Sequence, residues 1–549
     1  MNRWLGYLAG WLICGFSWVA AEMPAKRWIE LGWDIPSTQF IRENWKTMEE
    51  TTCFDGIIYK LQPDVKKQGG SSEGIFNPEH PWKREDFQGC IDDLKSCDFQ
   101  KFHHNFIRVN FSPANVKWDD DAGWKVILEK VALCAWVAKT SGSKGLAPDF
   151  ESYGADLFRY DSQSGKTFAE TKALAKRRGA EFLQAVASEF PDATLLCLWL
   201  NSINTQAASV SNPDNLLATA GYGLLPAFIN GMLSVLPPEM VLVDGCENGY
   251  YFNEPESFYQ AALDMVLWTG RFVQLIEPEY RQTWRNQGQC GFGIYLDMYT
   301  NPEGNRYYRA GKEGETRFDR LCANLADALR CSDQYVWVYG EKNRWWNVPG
   351  GDSEIRHWNT ALPGLVERME QIRNPEMFAK KQVTLYLADP QKQNLLKNAD
   401  FSQKRPEGNL PAEWGFWQHE KTSFGKAQWD GSVGEGSASF EKVMDGCYIQ
   451  SLPVQPGERY LLHARVKTTG SATAKVAASW QTAEGQWTRW DATQTFVPAD
   501  SSQEWSDIYG LITVPESAAK MVILPSVSQQ YSEKDGCWYD SIGIFTAGE

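Results

Sequence analysis

The chain has 549 residues, room for more than one domain, and a formal net charge of −15. That charge argues against nucleic acid and against an anionic membrane surface as partners, and leaves neutral ligands open. With 25 tryptophans, the chain carries more flat aromatic surface than usual, which serves a core and is also what sugar rings stack on.

Residues 1–21 read as a signal peptide. Arg3 supplies the positive start, residues 5–20 are apolar with Gly and Ser breaks, and Val19-Ala20-Ala21 places small residues before Glu22. The apolar run is short for a spanning helix. The expectation is a secreted or periplasmic protein with no membrane association after cleavage; its oligomeric state is left open. Cys14 lies in the leader, and the odd number of cysteines that remain prevents complete internal pairing. Cys134, Cys197, Cys290 and Cys322 sit in apolar contexts and read as buried thiols. Cys447 and Cys537 each follow Asp-Gly and are candidates for a bridge in an oxidising compartment. No CxxC or HExxH occurs and there are only 6 histidines, so no metal or cofactor is expected in the first domain.

From residue 28 onward, strand-like and helix-like segments alternate, which predicts an α/β domain with a parallel sheet. Strands are expected at 28–34, 54–61, 105–111, 145–154, 194–200, 240–244, 291–299 and 335–341. Between them lie a helix capped near Ser37, a Gly/Ser/Pro-rich insertion at 62–82 and a long amphipathic run at 168–190. A helix at 362–372 closes the set. Eight such units predict a (β/α)8 TIM barrel over 22–380. No GxGxxG follows the first strand, so a dinucleotide-binding open sheet is the weaker alternative. Residues 381–393 read as a linker, with 382–389 as a further strand in the alternative. Beyond 394 come short alternating runs at 448–452, 460–466, 474–480, 508–514, 521–525 and 538–545. Gly, Pro, Asn and Asp separate them, which predicts an all-β jelly-roll sandwich over 394–549.

Barrel enzymes carry their chemistry at the C-terminal strand ends. The first expected strand ends in Asp34, the third in Arg108 and Asn110, the fourth in Asp149, Glu151 and Tyr153. The fifth offers Trp199 and Asn201, and the sixth Asp244 with Glu247 and Tyr250 just beyond. The seventh offers Asp297 and Tyr299, the eighth Tyr339 and Glu341 with Trp345 and Trp346 following. Strand alternation puts Asp149 and Glu151 on one face and Phe150 on the other. Two neighbouring acids repel, and one tends to keep its proton near neutrality. This polar and aromatic bowl is what glycoside hydrolysis needs: a carboxylic acid for the leaving oxygen, a second carboxylate, and aromatic faces for the rings. The candidate catalytic groups are Glu151, Asp149, Glu341 and Glu247, and the other strand-end residues are candidate substrate contacts. The plainer alternatives are a salt bridge from Asp149 or Glu151 to Arg108 or Lys60, and packing of Trp345 and Trp346 on the rim.

Asp149-Phe-Glu151-Ser-Tyr153 resembles the Asp-x-Glu of chitinase-type and related barrel hydrolases. The resemblance implies that Glu151 is the acid and Asp149 its helper. Chitinases carry further aspartates upstream, where this chain has Ala147 and Lys144, and no particular hydrolase family is assigned. The C-terminal part resembles a carbohydrate-binding module of jelly-roll type. The residues that match are the opening Asn394-Leu-Leu-Lys-Asn-Ala-Asp-Phe401, the run from Tyr448 to Tyr460, and the closing Trp538-Tyr-Asp-Ser-Ile-Gly-Ile-Phe545. That resemblance implies sugar platforms among Trp480, Trp487, Trp490 and Trp505, and a structural calcium ion near Asp540.

The leading expectation is an exported glycoside hydrolase acting on a polysaccharide or oligosaccharide. One alternative is a non-catalytic glycan-binding protein with a degenerate barrel. The other is a polysaccharide lyase, which would use Lys60, Arg108, Lys342 and Arg344 to hold uronates. An esterase reading gains little.

Overall fold

The computed structural model describes residues 25–62, 74–151, 153, 156–346, 356–389, 393–420, 424–498 and 504–547. The expected signal peptide lies outside these residues. The chain divides into two compact units, Met1–Pro363 and Gly364–Glu549.

The first unit holds the strands β1 (Arg27–Gly32), β2 (Gly56–Tyr59), β3 (Phe106–Asn110), β4 (Gly145–Asp149), β5 (Thr194–Cys197), β6 (Val241–Asp244), β7 (Gly288–Cys290), β8 (Phe292–Tyr295) and β9 (Tyr335–Gly340). They pair in parallel in the order β7-β6-β5-β4-β3-β2-β1-β9-β8. The two ends of this order, β7 and β8, are separated in the chain by Gly291 alone. The sheet therefore nearly closes on itself as a barrel. Eight strands were expected and nine are found: the expected seventh, at 291–299, takes in β8 alone, and β7 lies on the other side of Gly291. There the backbone N–H turns to the Asp244 carbonyl at 2.8 Å, and a Cβ would lie 2.8 Å from the Tyr335 carbonyl oxygen. The strand also stops at Tyr295 and not at Tyr299, because Leu296–Tyr299 coils into a 3-10 turn.

Ser37 caps the helix Thr38–Thr51 by accepting from the Phe40 N–H. Thr167 and Glu170 form a capping box at the start of the helix Phe168–Glu189. Between that helix and the sheet lies a buried cluster of Phe111, Phe150, Phe158, Phe182 and Phe228, with Phe111 and Phe150 centred 4.6 Å apart. Phe150 is thus directed into the helical layer, and alternation turns its neighbours Asp149 and Glu151 to the barrel mouth.

The helices Phe168–Glu189 and Leu225–Ser234 cross in backbone contact. A Cβ at Gly231 would lie 1.8 Å from the Lys176 carbonyl, and one at Gly179 1.9 Å from the Phe228 carbonyl. Gly231→Ala must push the helices apart, and its expected cost is about 1–3 kcal/mol. Urea unfolding checks this: an unchanged midpoint would show that the crossing is not tight.

The second unit begins with two helices, Leu365–Arg373 and Pro375–Ala388. The expected linker over 381–393 and the alternative strand at 382–389 are therefore helical as far as Ala388. Asn374 accepts from the Met377 N–H and Pro375 occupies the first turn, a strong start signal. Phe378, Ala379 and Val383 share one helical face and pack on Leu461 and Phe545 of the sandwich. The helix at 365–373, expected to close the barrel, likewise falls in this unit.

The remaining strands are β10 (Gly415–Gln418), β11 (Lys426–Asp430), β12 (Ser437–Glu441), β13 (Asp445–Pro453), β14 (Arg459–Thr468), β15 (Thr473–Gln481), β16 (Gln494–Phe496), β17 (Ser506–Thr513), β18 (Lys520–Ser528) and β19 (Gly536–Thr546). They form two antiparallel five-stranded sheets, β10-β13-β18-β15-β16 and β11-β12-β19-β14-β17. Trp414, Tyr448, Trp480 and Tyr539 fill the core. Trp480 is thereby no sugar platform: it is 1% exposed and its indole N–H donates to the Ala492 carbonyl at 2.8 Å. Trp505 lies against the Arg465 guanidinium, while Trp487 and Trp490 are exposed.

No disulfide joins cysteines among the described residues. Cys447 and Cys537, expected as a candidate bridge, lie on β13 and β19 in different sheets. Asp540 faces Arg465 at 3.6 Å, and among the described residues no group of three or more His, Cys, Asp or Glu side chains is placed to hold a metal ion. No helix among the described residues is long and apolar enough to cross a membrane.

Candidate active site

The C-terminal ends of β3, β4, β6, β8 and β9 bring five acids and a set of tyrosines within electrostatic reach of one another. Arg108 and Asp149 come from neighbouring strands in register, Asn110 opposite Asp149. The Arg108 guanidinium pairs with the buried Asp149 carboxylate through Nη2 and through Nε at 3.1 Å. The other Asp149 oxygen accepts from the Glu151 N–H at 3.0 Å, which fixes the bend that follows the strand. The expected salt bridge is therefore present for Asp149. Glu151 is half-buried beside Tyr153. Burial raises its pKa, the Asp149 and Glu341 charges add to the rise, and Tyr153 and Arg108 offset part of it.

Asn110 works behind this edge. Its side-chain oxygen accepts from the Ser112 N–H at 3.0 Å, and the Ser112 hydroxyl accepts from the Tyr153 N–H at 2.7 Å. The Tyr153 ring is 56% exposed on the rim.

Glu247 owes its place to an unusual turn. Gly245 approaches Trp337 so closely that a Cβ would lie 2.8 Å from the indole nitrogen, which donates to the Gly245 carbonyl at 2.8 Å. Cys246 then takes a left-handed backbone, φ 35°, uncommon for a residue with a side chain. The 3-10 turn Glu247–Tyr251 follows. Burial, with the Glu151 and Asp149 charges adding to it, pushes the Glu247 carboxyl up to about 8, so it holds its proton at neutral pH.

Glu341 follows β9 and accepts from the Tyr295 hydroxyl on β8. Tyr295 was not among the residues expected from sequence. Its ring and that of Tyr339 are centred 5.1 Å apart, and Tyr339 lies parallel to Tyr250 at 6.2 Å. These three rings form one wall of the mouth.

Several expected contacts prove to hold the frame. Asp244 is buried and accepts from the N–H groups of Leu200 and Ser202, both at 3.0 Å, and from the Ser202 hydroxyl at 2.5 Å. Asp297, also buried, accepts from the N–H groups of Glu341 at 2.7 Å and Lys342 at 3.0 Å. Burial raises both pKa values. Asp34 pairs with Arg344, tying the end of β1 to the loop after β9. Tyr299 accepts from Asn324 at 2.6 Å on the helix Arg317–Cys331, away from the mouth. Trp199 is buried edge-on against Tyr222, and Asn201 is buried with its amide 3.4 Å from the Phe272 carbonyl. Trp345 and Trp346 are also buried, Trp345 with its edge on Phe54 at 5.0 Å. The rim aromatics that are exposed are Trp33, Tyr153 and Tyr251.

The arrangement supplies an acid that keeps its proton at pH 7, a second acid with a raised pKa and a third carboxyl braced by a tyrosine. An ion pair neutralises the fourth charge between them. Acids of differing charge state lined with aromatic rings are the kind of arrangement that suits proton transfer.

No model of a known protein family matches the chain, and no curated protein does. Among solved structures, the enzymatically active domain of bacteriophage CBA120 tailspike protein 4 is 12% identical over 28% of this chain and 21% of that chain, with a TM-score of 0.23. The CBM22-1 xylan-binding domain from Paenibacillus barcinonensis Xyn10C is 16% identical over 29% of this chain and 97% of its own, with a TM-score of 0.21. The arabinose-bound α-L-arabinofuranosidase MgGH51 is 13% identical over 28% of this chain and 26% of that one, with a TM-score of 0.22. This chain spans about a fifth of the tailspike domain and about a quarter of the arabinofuranosidase. The partial likenesses thus include a carbohydrate-binding module and a glycoside hydrolase.

Proposed function

We propose that this protein is an exported glycoside hydrolase that cleaves a polysaccharide or oligosaccharide at the mouth of its barrel. In this reading β7 and β8 are one interrupted strand and the barrel is eight-stranded. Glu151 donates the proton to the leaving oxygen. It has a raised pKa and a half-open position beside the exposed Tyr153. Glu341 is the partner carboxylate, oriented by Tyr295. Glu247, protonated at neutral pH, donates a hydrogen bond to the substrate and does not attack it. The observation that carries the reading is the convergence of Glu151, Glu247 and Glu341 with Tyr250, Tyr295 and Tyr339 at the ends of parallel strands. The sandwich holds glycan through the exposed Trp487 and Trp490.

The test is reducing-end release from a panel of neutral, acidic and sulfated polysaccharides. Release from at least one is expected. Silence across the panel, with binding retained, would replace the hydrolase by a glycan-binding protein.

A further inference from the structure

A cavity of about 690 Å³ lies on the other side of the turn that carries Glu247. That volume is within the roughly 300–1,000 Å³ of small-molecule sites. Its lining includes Thr205, Asn248, Tyr251, Tyr259, Gln260 and Arg271. Tyr251 and Tyr259 are 49% and 61% exposed, so their faces are available to a ligand. Both stand on firm supports. Tyr251 belongs to the Glu247–Tyr251 turn, and Tyr259 to the helix Pro255–Val266.

The cavity is joined to the carboxyl cluster by a line of aromatic rings. Tyr251 lies within electrostatic reach of Tyr307. Tyr307 meets Tyr295 edge-on with centroids 5.5 Å apart, and the Tyr295 hydroxyl donates to Glu341. A ligand with its reacting bond at Glu151 and Glu341 therefore has an aromatic path that leads over Tyr251 into the cavity.

The lining also selects the ligand's charge. Its side chains are mostly neutral hydroxyls, amides and rings. The cationic Arg271 is already neutralised by Asp264, through Nε at 2.8 Å and Nη2 at 2.5 Å, and Glu256 adds a negative charge to the wall. Among the described residues that line the cavity Arg271 is the one cation, so the lining itself offers no uncompensated positive charge to a uronate or a sulfate; Arg306 lies outside it, over the Tyr307 ring. Hydroxyls, amides and exposed tyrosine faces suit a neutral sugar, which stacks its C–H face and spends its hydroxyls on neutral partners.

We infer that this cavity is a subsite for a neutral glycan, and that the substrate is an uncharged chain of several sugars running from the carboxyl cluster over Tyr251 to Tyr259. In naming a glycan as the ligand, the inference rests on the hydrolase reading above.

The test is direct binding, so that it does not depend on turnover. Cellohexaose, xylohexaose and mannohexaose, with hexagalacturonate as the anionic control, are titrated into the full chain and followed by saturation-transfer NMR and calorimetry. At least one neutral hexasaccharide is expected to bind and hexagalacturonate is not. Tyr259→Ala is expected to weaken binding at least about tenfold, which corresponds to about 1.4 kcal/mol, and Tyr259→Phe to retain it. Tyr259 is exposed, so its truncation leaves the packing intact. Failure of every neutral hexasaccharide to bind, preference for hexagalacturonate, or wild-type affinity in Tyr259→Ala would each overturn the subsite. Turnover of Glu151→Gln reports separately on the hydrolase reading. An active Glu151→Gln would sink the proton-donor assignment and leave a Tyr259-dependent glycan site standing.

Discussion

Glu151→Gln is expected to lower turnover about 10²- to 10⁴-fold, the usual worth of a positioned general acid, while circular dichroism and the unfolding midpoint stay at wild-type values. Its side chain is half-buried, and an amide matches the carboxyl in size and shape. Glu247→Gln provides the contrast. At pH 7 an amide resembles the protonated carboxyl that burial maintains there, so the loss should stay within about tenfold. The pH profiles should differ as well. Glu151 donates only while protonated, and its raised pKa carries that form above the usual carboxylate range; activity then falls on the alkaline side. Wild type should fall again as Glu247 ionises through about 8, and Glu247→Gln should not. If Glu247→Gln is inactive and Glu151→Gln is not, the donor is Glu247.

The second large effect concerns stability. Glu30 on β1 is 3% exposed, and its Oε2 is buried with no hydrogen-bond partner among the described residues. Burial pushes its carboxyl from 4.5 up to about 8; Arg344 lowers it somewhat and Asp34 raises it. The folded chain keeps a proton that the unfolded chain releases above about pH 4.5. Stability from this group is therefore complete below that pH and is lost progressively as pH rises through about 8. At about 1.4 kcal/mol per pH unit, the loss across this window is on the order of 5 kcal/mol. Glu30→Gln keeps the shape without the ionisable proton. Its unfolding midpoint should match wild type near pH 5 and exceed it by several degrees near pH 9. Glu247 contributes with the same sign in both proteins, so the difference between them isolates Glu30. Identical pH dependence in the two would show that Glu30 ionises in the fold without penalty.

Much of the first unit was legible because its signals are local. Ser37 before an amphipathic run, and the alternation that separates Phe150 from Asp149 and Glu151, follow from periods of 3.6 and 2. Strand ends were less legible, since they depend on partners distant in the chain. β7 and β8 are separated at Gly291, where Asp244 and Tyr335 stand opposite, and nothing adjacent in sequence says so. Extending that strand to Tyr299 made Asp297 and Tyr299 look like site residues and hid Tyr295, which has the same parity and does face the mouth. Asp244 and Asp297 show a second limit. A carboxylate that binds a ligand and one that gathers backbone N–H groups read alike until the loops around them are placed. Trp345 and Trp346 show the same for aromatics, where burial decides between packing and stacking. The helix Pro375–Ala388 was misread although Asn374-Pro375 marks its start, because Val383, Thr384 and Tyr386 favour strands locally and only packing on Leu461 and Phe545 settles the matter.

The buried carboxylates of Asp244 and Asp297 also bear on the thermodynamics of ligand capture. Between them they clamp the segments after β5, β6 and β9 by their backbone N–H groups. Loops at a binding mouth ordinarily lose conformational entropy when a ligand arrives, at about 1–2 kcal/mol per residue fixed. Here that ordering is completed as the chain folds. In the hydrolase reading these three segments are preorganised, and the free energy of each new contact goes to affinity or to the transition state with little spent on ordering them.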